Sequence, residues 1–254
     1  MRDPAGNFFL REVQVLNHQA VEELALAAEE RLAKLASGSS RPQLPLEHRH
    51  FARLYYLVTI SWLERARQLP EPLFLHLLII HFYNRYAACV LDAVNGDCEQ
   101  IAWHWRPYFH IIRRGKEQSR NENGLFWGIL AHTGPDLSDA IALATFDYRK
   151  QNPDEPFLTL LLKIVYANLL NANPFSSAIS QFVDESGYST GIFRSNGPLA
   201  LKLIRQAGVF IFLQYRKLIV LNAYWRVFRT RLWYKSSFSL YGPIPSPELS
   251  FSLS

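Results

Sequence analysis

The sequence predicts an all-α protein, a multi-helix bundle with a buried central helix. Apolar residues recur at the period of about 3.6 residues that amphipathic helices show, and alternation with a period of two is nowhere sustained. Glycine is also scarce, at 12 of 254 residues. With 49% hydrophobic and 19% charged residues, the chain has enough apolar side chains to fill a core without disulfide bonds.

The first four helices are predicted from their apolar spacing and from the turn residues that follow. The first runs from Val13 to Ala36 and ends at a Ser-Gly-Ser-Ser turn, and the second runs from His50 to Gln68 and ends at a proline. The third, Leu73 to Val94, is apolar on nearly every side, which predicts that it is the central helix. The fourth lies near Cys98 to Arg113 and contains Pro107, so we expect a kink or a split there.

A broken helix is predicted near Gly134-Pro135. The apolar pattern of Asn121 to Ala131 stops at Thr133, and a new helix is expected from Asp136 to Tyr148, with the proline at a favoured first position. Backbone amides at a helix start carry a partial positive charge. The break is therefore expected to offer a place where a carboxylate or an oxyanion could bind.

The rest of the chain is assigned to the same helical domain, 1–242, which is followed by an extended tail rich in proline and serine, 243–254. Three further helices are predicted before this tail: Phe157 to Leu170, Pro174 to Val183, and Pro198 to about Trp233. The motifs GxGxxG, GxxxxGK[ST] and GxSxG do not occur, so the sequence gives no support to a dinucleotide site, a P-loop or a nucleophile elbow.

Positive charge is concentrated near the C-terminus. Between Arg194 and Lys235 there are nine basic residues and no acidic one, which leaves 18 basic against 22 acidic residues in the rest of the chain. This segment is either the solvated face of a helix or a surface for peripheral contact with an anionic membrane. No nucleic-acid-binding motif accompanies the charge, so nucleic acid is not an expected partner.

The expected location is cytoplasmic. The two cysteines, Cys89 and Cys98, have no metal-binding or redox spacing, and no secretory leader is evident. Two strongly apolar stretches, Phe157 to Leu170 and Val209 to Trp225, are interrupted by charged or polar residues. Neither reaches the roughly 18 uninterrupted apolar residues expected of a membrane span.

His132 is the strongest candidate for chemistry among the eight histidines. It lies at the predicted break, where an imidazole can exchange a proton near neutral pH beside free backbone amides. Asp136 could orient this imidazole, or it could only balance the dipole of its helix while His132 packs in the core. His48 and His50 are expected to face solvent.

Arg85 is the only cation in the third helix. If that helix is buried, the guanidinium needs an anion, which is either an internal carboxylate, the interpretation we favour, or an anionic ligand. His81 shares a face with Arg85 at i and i+4. We expect an aromatic cavity around the polar residues, with His81, Tyr86, Trp103 and Trp127 binding substrate.

Metal binding is an alternative for the same region. Such a site would be assembled from His132, Asp136 and one of His81, His104 and His110. Against it, none of these histidines belongs to a Glu-x-x-His motif of the kind found in di-iron bundles, and the Trp-His-Trp sequence around His104 is typical of packing. No cofactor motif is visible, and the preferred interpretation uses neither a metal nor a cofactor.

Four short segments carry a resemblance to a known family. They are Tyr55-Tyr56-Leu57-Val58-Thr59, Phe82-Tyr83-Asn84-Arg85-Tyr86, Ala131-His132-Thr133-Gly134-Pro135-Asp136-Leu137 and Asn222-Ala223-Tyr224-Trp225. From about Phe51 to Trp233 the chain resembles a bacterial all-helical family of unknown function, with a Phe-x-x-Arg-Tyr helix and an Ala-His-x-x-x-Asp-Leu segment. The resemblance implies that His132, Asp136 and Arg85 are the positions to examine, and it brings no settled reaction.

These residues predict a cofactor-independent biosynthetic enzyme that acts on a small apolar or aromatic substrate containing a carbonyl. His132 would be the general base or nucleophile, Asp136 would orient it, and Arg85 or the helix start would stabilise an anion. Cyclisation or carbon-carbon bond formation would suit such a site. The alternatives are a noncatalytic ligand-binding or membrane-peripheral protein that uses the basic C-terminal helix, and a metal-dependent hydrolase or oxidase.

Overall fold

The fold is all-α, as the sequence predicts. A computed structural model describes residues 18–39, 46–94, 101–114, 124–125, 127–156, 158–160, 162–163, 165, 177–178, 181–182, 185 and 225, and these contain helices and no strand. In chain order the elements are α1 His18–Ser37, α2 Leu46–Arg67, α3 Leu73–Val94, α4 Arg106–Arg114, a π-helical turn His132–Asp136, and α5 Leu137–Gln151. Residues 127–131 are also helical and lead directly into the π-helical turn.

Helix α3 is the buried central helix, with the bounds that the sequence predicts. The four consecutive residues Leu77, Leu78, Ile79 and Ile80 are each at most 1% exposed, which requires that the helix be covered on every side. Helix α1 packs against α2 and α3, and α5 packs against α3.

One stretch of the described residues, Leu73–Val90 in α3, is long and apolar enough to span a membrane. However, 83% of it is buried inside the protein. Core helices of soluble proteins pass the same test of length and hydropathy, so this stretch is compatible with a soluble protein.

Two polar contacts, one buried and one partly buried, join α3 to α5. His81 Nε2 lies 2.9 Å from Asp147 Oδ2, and Arg85 Nη2 lies 3.3 Å from Asp139 Oδ2. Because the two contacts follow opposite chain order on the two helices, α3 and α5 are antiparallel. The prediction that an internal carboxylate accompanies Arg85 is confirmed.

The predicted kink at Pro107 is not found. Helix α4 begins at Arg106, so the proline lies in the first turn, where its missing N–H leaves no helical hydrogen bond unmade. Residues 103–105 form a turn before the helix, in which the Trp105 N–H donates to the Ala102 carbonyl at 2.8 Å. This turn brings His104 and Trp105 into contact with the π-helical turn.

The interruption predicted at Gly134-Pro135 takes the form of the π-helical turn. Pro135 has no N–H to donate to the carbonyl four residues back, and its ring would clash with that carbonyl in an α-helix. The chain widens instead, and the Leu137 N–H reaches the carbonyl of His132, five residues back. Ala131 and Leu137 both keep right-handed helical backbone angles. The chain therefore stays helical, and α5 does not begin with the free N-terminal turn that the sequence predicts.

His48 is 1% exposed, so the prediction that it faces solvent is wrong. Its Nδ1 lies 2.7 Å from the Tyr108 hydroxyl and its Nε2 lies 2.6 Å from the Tyr86 hydroxyl. A neutral imidazole has one donor and one acceptor, which suits two hydroxyl partners. The sequence prediction starts this helix too late: α2 begins at Leu46, so His48 lies in its first turn, on the same buried face as Tyr55.

The predicted tail, 243–254, lies outside the described residues, as does the basic segment from Arg194 to Lys235 apart from Trp225. The helix predicted from Pro198 to about Trp233 belongs to this segment and also lies outside the described residues, apart from Trp225. The expected membrane contact of this region stays a prediction from the sequence.

We expect the substitution Gly128→Ala to lower the free energy of unfolding by about 1–3 kcal/mol, the usual range for overpacking a core. A Cβ at this position would lie 2.8 Å from Phe51 Cδ2 and 3.0 Å from Tyr108 Cδ2, so two packed rings would have to move. Gly124→Ala is the comparison, because its Cβ would approach one Ile112 methyl at 3.0 Å, and its effect should be smaller. Urea denaturation measures both. Equal stability of Gly128→Ala and the wild type would contradict this packing.

We expect the free energy of unfolding to decrease as the pH is lowered from about 6.5 to about 4. Burial lowers the pKa of His48 to about 4, whereas an unfolded histidine titrates near 6.5. Between these values the unfolded state binds more protons, so stability falls, with a loss from His48 of about 3 kcal/mol below pH 4. Urea denaturation across this range should show a smaller decrease for His48→Gln than for the wild type. Identical pH profiles would show that His48 is not the group responsible.

Candidate functional site

His132 and Asp136 are in contact across the π-helical turn. His132 Nδ1 lies 3.1 Å from Asp136 Oδ2, and the two side chains are 5% and 2% exposed. A carboxylate can only accept hydrogen bonds, so Nδ1 carries the proton. When the ring is neutral, the lone pair is therefore on Nε2.

The Asp136 carboxylate receives three hydrogen bonds. Besides His132, His104 Nε2 lies 2.8 Å from Oδ1, and the Trp105 indole N–H donates to Oδ2 at 2.8 Å. Burial by itself raises the pKa of Asp136, but the hydrogen bonds from His104 and His132 outweigh it and hold the pKa below its usual value. The carboxylate is therefore ionised, and the Trp-His-Trp sequence, interpreted as packing, supplies two of its donors.

His132 is a neutral base at neutral pH. Burial lowers the pKa of its imidazole, and this effect exceeds the opposite effect of the hydrogen bond and charge of Asp136. Its Nε2 is buried and has no hydrogen-bond partner among the residues that the structure describes. The ring thus has a fixed Nδ1–H and an unused lone pair.

Aromatic rings fix the orientation of the imidazole. Phe82 stacks on it with a centroid distance of 3.6 Å and an angle of 9°, and Tyr55 contacts it edge to face at 4.2 Å. Three more rings have centroids within 6 Å of it: Phe51, Tyr86 and Trp105. Such packing excludes water from most of the ring and leaves little freedom for the base to turn.

An apolar pocket lies against His132. Helix α2 contributes Tyr55 and Trp62 to its lining, α3 contributes Phe82, and the π-helical turn contributes His132 and Thr133. The cavity is small, about 30 Å³, and the pocket is partly open. A ligand would meet mainly hydrocarbon surface here, with few polar groups to fix its orientation.

Arg85 and His81, two of the site residues predicted on α3, pair with carboxylates of α5. Arg85 lies against Asp139, and His81 lies against Asp147 with a side chain that is 1% exposed. Neither residue lines the pocket. Arg85, which the sequence predicts to stabilise an anion of the substrate, therefore lies at the junction of α3 and α5.

The predicted aromatic binding residues also lie outside the lining of the pocket. Tyr86 is fully buried and close to His132, at 5.7 Å between ring centroids, but its hydroxyl is hydrogen bonded to His48. Trp103 is 74% exposed and Trp127 is 39% exposed, so both are surface residues.

Sequence analysis missed Tyr55 and Trp62 as pocket residues. Together with Val58 they recur at i, i+3 and i+7 on α2, which is the signal of one helix face. The pattern indicates that this face is buried, but it does not say which residues on other helices it meets. Tyr55 and Phe82 enter the sequence analysis only as parts of the motifs that carry the resemblance.

Among the described residues, no group of three or more His, Cys, Asp or Glu side chains could hold a metal ion. His104 and His132 both contact the Asp136 carboxylate, whose two oxygens already accept hydrogen bonds. The cluster is a hydrogen-bond network centred on a carboxylate, and this part of the chain gives the metal alternative no support.

We expect His132 to be the neutral Nδ1–H tautomer at pH 7, because Asp136 accepts from Nδ1 and burial lowers the pKa. In Asp136→Asn the amide can also donate, so the tautomer should become mixed and the pKa of His132 should fall further. Long-range ¹H–¹⁵N NMR of labelled histidine side chains measures both quantities. Asp147→Asn is the matched control, since it alters the partner of His81 and should leave the His132 signals unchanged. A wild-type Nε2–H tautomer would contradict the proposed geometry.

The comparisons with known proteins add no relative. No protein-family model, no curated protein and no solved structure matches this chain. The resemblance to a bacterial helical family stays a prediction from short motifs, so the geometry of the site is the basis for inferring a function.

Proposed function

We propose that the protein is an enzyme that removes a proton from a small, apolar, carbonyl-containing substrate, with His132 Nε2 as the general base. The supporting observation is the unpartnered Nε2 of a neutral imidazole that belongs to a lining residue of an apolar pocket. Buried polar atoms nearly always have a hydrogen-bond partner, so a vacant one beside a pocket favours contact with a ligand.

The arrangement suits proton abstraction from carbon. Nε2 takes a proton from the carbon beside the carbonyl, and the electrons of the broken C–H bond form an enolate. The resulting imidazolium is stabilised by the ionised Asp136 at Nδ1, which also keeps Nε2 directed away from the carboxylate. Asp136 thus has the role of the orienting carboxylate in a catalytic triad.

Cyclisation follows if the substrate carries a second carbonyl. The enolate carbon attacks that carbonyl carbon, a carbon-carbon bond closes the ring, and the imidazolium returns its proton to the new alkoxide. All atoms of the substrate are retained, and the base ends as it began. This sequence requires no cofactor or co-reactant.

The pocket favours small and apolar substrates. No Lys, Arg, Asp or Glu is among its lining residues. The small cavity means that a substrate of more than a few heavy atoms must displace lining side chains or extend through the open side. Small metabolites in the cytoplasm are the class of partner that this proposal implies.

Noncatalytic binding is the second candidate, because the same pocket could hold a ligand without reaction. The two candidates differ in one observable, the exchange of substrate carbon-bound protons with solvent. A base that forms an enolate exchanges them, whereas a binding protein does not.

We expect the protein to catalyse exchange of the protons beside the carbonyl of cyclohexanone or acetophenone in D₂O, followed by ¹H NMR. His132→Gln should abolish the catalysed exchange, and Asp136→Asn should slow it by about 10²-fold or more, the usual contribution of an acid–base group and its orientation. His81→Gln is the matched control, since it alters the other buried histidine–aspartate pair, outside the pocket lining. Thermal denaturation verifies that each variant is folded. Undiminished exchange in folded His132→Gln would rule out the proposed base.

A further inference from the structure

Tyr55 is a second residue of the pocket lining whose polar atom has no partner among the described residues. Tyr55 is 3% exposed, lines the pocket, and makes no hydrogen bond through its hydroxyl to any described residue. Its ring is in edge-to-face contact with the imidazole of His132, at 4.2 Å between centroids. One ligand in this pocket can therefore contact both residues.

Tyr55 is suited to donate a hydrogen bond and unsuited to lose its proton. Burial raises its pKa well above the usual value, and Tyr83, once ionised, and the negative charge of Asp136 act in the same direction. At neutral pH the hydroxyl is thus a donor. His132 Nε2 is an acceptor, so the two side chains offer complementary partners for one polar ligand.

Trp62 adds another buried donor to the lining. It is 3% exposed, and its indole N–H has no hydrogen-bond partner among the described residues. It lies seven residues after Tyr55 on α2, which is about 10 Å along a helix axis. Two residues that line the pocket, Tyr55 and Trp62, therefore each carry an unpaired donor that an acceptor atom of a ligand could satisfy.

The charges around the pocket determine whether the acceptor atom of the ligand is anionic or neutral. The ionised Asp136 lies behind His132, and no cation is among the lining residues. The guanidinium of Arg85, which does not line the pocket, is engaged with Asp139. An anionic ligand would be desolvated next to a negative charge without a counterion, which is strongly unfavourable. A neutral carbonyl oxygen accepts the same hydrogen bonds without this penalty.

We infer that Tyr55 donates the hydrogen bond that holds the carbonyl oxygen of the substrate, and that the pocket selects neutral carbonyl compounds over carboxylates. The catalytic part of this inference rests on the proposed function: as His132 removes a proton, the carbonyl oxygen gains negative charge, and the Tyr55 hydroxyl stabilises it. The binding part holds whether or not a reaction follows.

The test compares three ring compounds of similar size with the full-length protein: cyclohexanone, methylcyclohexane and cyclohexanecarboxylate. Dissociation constants come from NMR titration at pH 7. We expect cyclohexanone to bind most tightly and the carboxylate at least tenfold more weakly. Tyr55→Phe, which keeps the ring, should weaken cyclohexanone about tenfold and leave methylcyclohexane unchanged. Tyr83→Phe is the matched control, because it removes a buried tyrosine hydroxyl from a residue outside the pocket lining.

The outcomes separate this inference from the proposed function. If the carboxylate binds as tightly as the ketone, or if none of the three compounds binds, the proposed selectivity for neutral carbonyl compounds is wrong. Both results come from the wild-type protein, so they do not depend on whether a variant folds. Equal weakening of all ligands in Tyr55→Phe overturns the donor role. Binding that depends on Tyr55 without proton exchange supports the inference and refutes His132 as a base. Proton exchange that requires His132 but is unaffected by Tyr55→Phe supports His132 as the base and refutes the role of Tyr55.

Discussion

The site depends on one buried, ionised carboxylate. Removing a charged carboxylate from water costs several kcal/mol even in real proteins, and the cost is offset only by well-placed hydrogen bonds. Asp136 obtains three of them, from His104, Trp105 and His132. These contacts fix the turn before α4 against the π-helical turn and, at the same time, fix the tautomer of His132. The fold and the candidate base are therefore specified by the same interaction.

The π-helical turn connects this interaction to the backbone. A proline inside a helix removes one hydrogen bond and crowds the carbonyl four residues back. Here Pro135 is accommodated by widening the helix, and the residue that follows is Asp136. Turns of this kind are frequent at functional sites because they place side chains where a regular helix would not. The two residues on which the proposed chemistry depends, His132 and Asp136, are thus the first and last residues of the distorted turn.

A histidine–aspartate pair alone does not make a site, and the protein contains the comparison. His81 and Asp147 are also buried and in contact, at 2.9 Å, yet His81 does not line the pocket. What distinguishes His132 is its position at the pocket wall together with its neighbours. Tyr55 and Trp62 add two unpartnered donors to the same lining. Three residues that line this small apolar cavity thus carry an unpaired polar atom. A purely structural role for His132 would explain neither of the other two.

The sequence by itself determined the features that arise from local spacing. The bounds of α3 follow from its apolar run and the flanking turns. His132 and Asp136 stand out at the predicted interruption, but spacing across Gly134-Pro135 could not establish the contact between them. The need of Arg85 for an internal carboxylate follows from the cost of burying a charge, although its partner, Asp139, could not be named.

Only the tertiary structure decided which helix faces meet. His104 and Trp105 precede Asp136 by 32 and 31 residues, and no periodicity within a segment relates positions so far apart. Trp103 and Trp105 show the same limit, since two tryptophans in one short turn are 74% and 0% exposed. The pocket likewise forms where α2, α3 and the π-helical turn converge. Amphipathic patterns tell which side of a helix is buried, but the partner of that side is set by the packing of the whole bundle.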